Sequence, residues 1–363
     1  MAGDLEEVRD VSWMEGVWTE QDTTPARIEA ALRELLKAQH QKSEAYAPAR
    51  VLNLVVIADR EWRGEIHNRL EQVGRYHPSR TVLCAVEPGR KTLDAWATMT
   101  IAGDPRPGEI ALCHEEIVVE VGPDMLPRLD TVVDPLVVPD LATVVWSPHG
   151  HPEAVDSLMR MAQVVLLDSV NEPDPRTGVQ RARELGQRAY IVDLAWLRST
   201  PWRERIAASF DPPAFREELG RLSSVTVRSR PDSGIAGILF FGWLATRLGW
   251  EPGSMMAQNG SLFGRAGTRR GEVELHLEPD PRQSAPGLAG ITVETASGMS
   301  LSLDRGPGGL SARRRTPKGT ESHWTVMGAS RGEAGILGEG IRQALLRDPT
   351  YRPALEAAEA MVG

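Results

Sequence analysis

Residues 51–59, VLNLVVIAD, form an unbroken apolar run, and TVLCAVEP, beginning at Thr81, forms a second. Such runs, lacking polar alternation, suit strands of a parallel sheet buried on both faces. Between them, EWRGEIHNRLEQVG places Ile66 and Leu70 one helical turn apart and predicts a helix. Ahead of the first run, TTPARIEAALRELLKAQHQKSEA predicts an amphipathic helix. Thr24 can cap it, Pro25 suits its first position, and Ile28, Leu32, Leu35 and Leu36 share one apolar face.

WATMTIAG and EIALCHEEIVVEVG follow with no helical period between them, which predicts an antiparallel pair. Strand and helix patterns then alternate through ATVVWSP, HPEAVDSLMRMA, QVVLLDS, PRTGVQRARELGQ and RAYIVDLAW. Residues 25–220 therefore predict a mixed, layered α/β domain, closing on a helical stretch broken at Pro212–Pro213. From Ser223 the texture changes. SVTVRSR, EVELHLEP, GLAGITVETA, SLSLDRG, SARRRTP and HWTVMGA read as short strands, with one apolar helix, GIAGILFFGWLATRLGW, and two closing helices. Residues 221–363 predict an α+β domain with a mainly antiparallel sheet, and no fixed-period repeat runs through the chain.

Charge and composition narrow the function classes. The chain has 363 residues, 41% hydrophobic, with formal net charge −9 and a pI near 5.5. That balance opposes a nucleic-acid or anionic-membrane partner. No apolar run reaches the ~20 residues of a membrane span, and the acidic start MAGDLEEVRD has no signal-peptide core. A cytoplasmic protein is expected. Residues 1–24 hold seven acids against one arginine, with Trp13 and Trp18 among them, and predict an arm that packs on this chain or on a partner. Ten tryptophans, against four tyrosines and five phenylalanines, point to interfaces as well as core. The two cysteines, Cys84 and Cys113, read as small apolar residues on neighbouring strands.

The catalytic patterns are weak. GASRG, Gly328–Gly332, fits G-x-S-x-G, but all eight histidines precede Ser330, so the chain order of a hydrolase triad is not met. HGHPEAVD offers His149, His151, Glu153 and Asp156 at no metal-site spacing and reads as a polar loop entering a helix. No phosphate-cradling glycine loop is present, and no cofactor is expected. The basic run Arg313–Arg315 reads as a solvated sheet edge or a phosphate contact. In RYHPSRTVLC, His77 and Ser79 share a face of extended chain, Pro78 stiffens the corner, and Arg80 offers a planar fork at a sheet edge. The corner reads as structural, as an anion or partner contact, or, last, as catalytic, with no acid nearby to orient His77.

Several motifs occur together in order: His77–Arg80, PLVVPDLATVVWSP, VVLLDS and DLAWLRSTPWRERIAASFD. In this respect the chain resembles the OpcA family of glucose-6-phosphate dehydrogenase assembly proteins. Ala142, Ser147–Pro148 and Ser199 depart from the family pattern. The resemblance implies a non-catalytic factor that binds glucose-6-phosphate dehydrogenase and supports its active oligomer in the oxidative pentose phosphate pathway, as an allosteric activator. The alternative is a sugar-phosphate-binding protein or enzyme using the Arg80 corner. Candidate partner- or anion-binding residues are His77, Ser79, Arg80, Trp196, Trp202 and Arg203. For Trp202 and Arg203 the competing expectation is helix packing, with Thr200 as cap and Pro201 in the first position.

Overall fold

The structure, a computed structural model, describes residues 13–42, 46–48, 50–74, 78–102, 111–306, 308–327 and 332–363. The chain divides into two compact units, residues 1–165 and 166–363.

The first unit contains β1 (Trp13–Glu20), α1 (Pro25–Lys42), β2 (Tyr46–Pro48), β3 (Leu52–Asp59), α2 (Arg63–Gly74), β4 (Ser79–Val86), β5 (Asp94–Ala102) and β6 (Ala111–Val121). It continues through α3 (Asp130–Val133), β7 (Thr143–Trp146), α4 (Pro152–Leu158) and β8 (Val164–Leu167), the strand at which the chain passes into the second unit. The sheet order is β1-β5-β6-β4-β3-β7, then β8, with β2 also on β6. β6, β4, β3 and β7 pair in parallel, whereas β1–β5 and β5–β6 are antiparallel. The apolar runs read from the sequence are its central strands, and β3 is buried over all but its last residue. Ile28 and Leu32 of α1 and Ile66 and Leu70 of α2 are buried, as their spacing requires. The acidic arm supplies β1, whose Thr19 pairs with Trp96.

The second unit runs through α5 (Pro175–Leu185), β9 (Tyr190–Asp193), α6 (Leu194–Arg198), α7 (Thr200–Phe210), α8 (Pro213–Arg216), β10 (Leu222–Ser229) and α9 (Gly234–Leu248). Then come β11 (Glu251–Pro252), β12 (Met256–Gln258), β13 (Ser261–Thr268), β14 (Gly271–Pro279), β15 (Leu288–Thr295), β16 (Ser300–Gly306), β17 (Gly309–Arg315), β18 (Glu321–Met327), α10 (Gly332–Leu346) and α11 (Tyr351–Val362). Its sheet order is β11-β13-β14-β10-β15-β16-β17-β18, with β12 also on β13. β10 runs parallel to β14 and antiparallel to β15. Arg313–Arg315 lie in β17, between β16 and β18, not on the sheet edge that the sequence suggested.

The composition shift near residue 220 marks the start of this sheet, but the unit itself begins at Leu166, since β9 and α6 pack with the later helices. β13 carries two glycines and gave no strand signal. A Cβ at Gly264 would come within 2.8 Å of the Met255 side chain, so that glycine gives β12 its place on the strand.

α9 is apolar almost all round because it is covered on two sides, by β10 and β14 and by α11. Gly242 sets the second spacing, since a Cβ there would sit 2.1 Å from the Ala354 carbonyl oxygen. Gly242→Ala is expected to destabilise this unit by about 2 kcal/mol through overpacking. The urea midpoint by circular dichroism reads the effect, and an unchanged midpoint would show that the two helices separate at no cost.

Candidate partner-binding site

The segment Asp193–Arg203 of the second unit is organised by its own side chains. Asp193 ends β9 and caps α6, accepting from the Ala195 amide at 3.0 Å, the Ser169 amide at 3.2 Å and the Tyr351 hydroxyl at 3.1 Å. Trp196, buried to 1% exposure, donates its indole N–H to Asp348 at 2.8 Å and lies against the Tyr351 ring, centroids 5.6 Å apart. Arg203, one turn into α7, stacks on Trp196 with its guanidinium carbon 3.5 Å from the ring centroid. It donates to Ser199 Oγ at 3.1 Å, Thr200 Oγ1 at 2.9 Å and the Trp196 carbonyl at 3.3 Å. No carboxylate pairs with it among the described residues, and burial pushes its pKa down to about 10. Trp202 points into the core. Arg198 forms a two-pronged pair with Asp168, at 2.8 and 2.7 Å, and also reaches Glu333 at 2.6 Å.

These contacts tie the motif to α10 and α11 and to the turn between them. Thr200 lies inside α7 instead of capping it, because α6 runs through Ser199 directly into α7. Trp196, Trp202 and Arg203 are brought together and buried, so they shape a surface from beneath it.

No cation among the described residues pairs with Asp193, and burial raises its pKa to about 6. The folded value lies above the unfolded one, so between about pH 4 and 6 the folded chain holds the extra proton. This residue's contribution to stability therefore grows as pH falls through 6 and is lost above it. Asp193→Asn keeps an acceptor for the cap. The variant is expected to exceed the parent by about 2 kcal/mol at pH 7.5, with the gap shrinking as pH falls through 6 and closing below about pH 4, measured by urea unfolding at each pH. A constant gap would assign the effect to packing.

In the first unit the corner lies between α2 and β4, and His77 falls outside the described residues. Ser79 is buried, its hydroxyl 3.2 Å from Thr81 Oγ1. Arg80 sits on an interior strand, not at a sheet edge, and its fork is already engaged. Its Nε donates to Glu115 of the neighbouring β6 at 2.8 Å, and a terminal nitrogen donates to the Leu136 carbonyl at 3.2 Å. Arg50 closes the other side of Glu115, with Nε at 2.6 Å and a second bond from its terminal nitrogen. Burial alone would push the Glu115 carboxyl up, but the two arginines hold it below the ordinary carboxylate value. The acid partner of Arg80 thus lies 35 residues away. The available signal was CHEE, a pair of glutamates inside an apolar strand, which need cations if buried.

The carboxyl ends of β3 and β7 mark the switch point of the parallel strands, where α/β sheets usually open a ligand crevice. There His151 Nε2 lies 3.0 Å from Asp59 Oδ1, and Trp62 stacks on His149 with centroids 5.5 Å apart. In the turn after β3, where a phosphate cradle would lie, Arg60 pairs with Glu120 at 2.9 Å. Among the described residues no group of three acids, histidines or cysteines is placed to hold a metal ion. No described helix is long and apolar enough to cross a membrane. Cys84 is buried, and burial pushes its thiol up to about 12. Ser330 of GASRG lies outside the described residues.

A mixed α/β protein with two mixed sheets and internally paired motif residues is what the fold and these sites define. Two family models match in succession, described as the glucose-6-phosphate dehydrogenase subunit N-terminal domain, over residues 70–184, and C-terminal domain, over 189–355. The chain belongs to the OpcA family. Curated relatives named putative OxPP cycle protein OpcA include that of Synechococcus elongatus, 26% identical over 242 residues, covering 65% of this chain and 52% of the relative. That of Synechocystis is 30% identical over 154 residues, covering 41% and 32%. That of Nostoc punctiforme is 27% identical over 187 residues, covering 50% and 38%. The matches span about half the length of the first relative and less of the other two. A solved scyllo-inositol dehydrogenase from Lactobacillus casei overlays 86% of this chain and 96% of its own, at 13% identity and a TM-score of 0.42, too low to carry an inference.

Proposed function

We propose that this chain is a non-catalytic factor of the oxidative pentose phosphate pathway that binds glucose-6-phosphate dehydrogenase in the cytoplasm, supports its active oligomer and activates it allosterically. The observation that carries this reading is the pair of successive family models, both described as parts of a glucose-6-phosphate dehydrogenase subunit, over most of the chain. The names of the curated relatives place them in the same pathway. The internal engagement of Arg80 by Glu115 favours this over a sugar-phosphate site at that corner. Mixing the purified chain with the dehydrogenase tests it. A complex in sedimentation, with raised Vmax or lowered KM, is the expected result. No complex and no kinetic change would overturn it.

A further inference from the structure

The second unit's sheet is buried on one face and open on the other. Val225, Val227, Leu275, Leu277, Ile291, Val293, Leu301 and Leu303 fill the buried face. Most of the alternate residues are exposed or half-buried, as period-2 alternation requires. Seven strands, from β13 across to β18, present this open face, which is about 30 Å across at the usual strand spacing. Its middle row is small and hydroxylated: Thr226 pairs with Thr292, and Thr292 with Ser302. Gly290 keeps it flat enough for Arg228 to reach across to Asp304 at 2.5 Å.

The charges on this face have a symmetry. One row reads Arg265, Glu274, Ser224, Glu294, Ser300, Arg315, Glu321 through successive register partners. A second contains Arg228, Gly290 and Asp304. Counting outward from β15, three charges meet their opposites at the same distance on the other side, whereas Glu278 on β14 falls opposite Ser311 and Arg313 on β17 opposite His276. Arg228 on β10 answers Asp304 on β16, Glu274 on β14 answers Arg315 on β17, and Arg265 on β13 answers Glu321 on β18. Arg313 and Arg315 make no ion pair among the described residues.

A two-fold axis lying along β15 carries each strand onto its counterpart and preserves position along the strands. Two copies stacked about it bring every arginine of these rows onto an acid of the other copy. An isologous interface demands this self-complementarity, and two sheets stacking with strands nearly aligned supply the geometry. We infer that this open face is where two copies of the chain pack together about a two-fold axis along β15. The one like-charge meeting is Glu294 with its own copy, on the axis itself.

Sedimentation of the full chain alone, at micromolar concentration in low and high salt, tests this independently of the dehydrogenase. The expected result is a dimer in low salt that loosens as salt screens the pairs. Arg315→Glu and Glu274→Arg should each weaken it by about tenfold or more. The double exchange, Arg315→Glu with Glu274→Arg, should restore it, and because it carries both changes its recovery excludes misfolding. Glu294→Gln should tighten it. A wild-type monomer in low salt overturns the inference, as does a double exchange no better than the single reversals. If the single reversals leave sedimentation unchanged but abolish dehydrogenase capture, the face belongs to that partner and self-association is wrong.

Discussion

Trp196→Ala is expected to destabilise the second unit by about 4 kcal/mol. Three losses coincide at this side chain. A fully buried indole leaves a cavity that α6, already capped by Asp193, cannot readily close. Asp348 loses its 2.8 Å donor. Arg203, which makes no direct carboxylate pair among the described residues, loses the ring that covers it. The urea midpoint by circular dichroism reads the total. Trp196→Phe keeps a ring under Arg203 and removes the hydrogen bond and part of the indole's volume, so it should cost less than alanine, at about 2 kcal/mol. An alanine variant within about 1 kcal/mol of the parent would mean that the motif is loosely packed. A partner-binding role for these residues acts through the shape of the surface above them, so activation of the dehydrogenase should fall together with the stability of this unit.

The second large effect is at Glu115 in the first unit. Glu115→Gln leaves Arg50 and Arg80 facing a neutral amide in a mostly buried site, which should cost about 3 kcal/mol. Arg80→Ala leaves the Arg50–Glu115 pair intact and should cost clearly less. That ordering separates an internal ion triad from a ligand clamp. A site built to bind an anion through Arg80 would show the reverse: little stability change at Glu115→Gln and lost affinity at Arg80→Ala. The pH dependence runs opposite to that of Asp193. The folded value of Glu115 lies below its unfolded value, so its contribution is present at neutral pH and is lost as pH falls through the depressed value.

The local patterns carried much of the fold. The apolar runs at residues 52–59 and 79–86 are central strands, the 3.6-residue period of α1 and α2 buries the residues it selected, and α9 is covered on both sides, as its composition requires. β13 escaped notice because its glycines serve a neighbour's side chain and not its own pattern. The ordered motifs identified the family but not the role of each residue within them. DLAWLRSTPWR left both a partner contact and helix packing open, and its indoles and Arg203 are interior.

The sequence by itself determined where most of the strands and helices form, since periodicity and apolar length are properties of neighbouring residues. It also determined the family, since ordered motifs survive in one dimension. Tertiary structure alone decided what each charge meets. Arg80 found Glu115 through the pairing of β4 with β6, and Asp193 found Tyr351 across 158 residues. The balance of charges about β15 exists only because β14 and β10 lie on one side of it and β16 to β18 on the other. Strand order and register are set by burial of whole faces, so the arginine of a corner with no acid nearby in the sequence meets Glu115 in the fold.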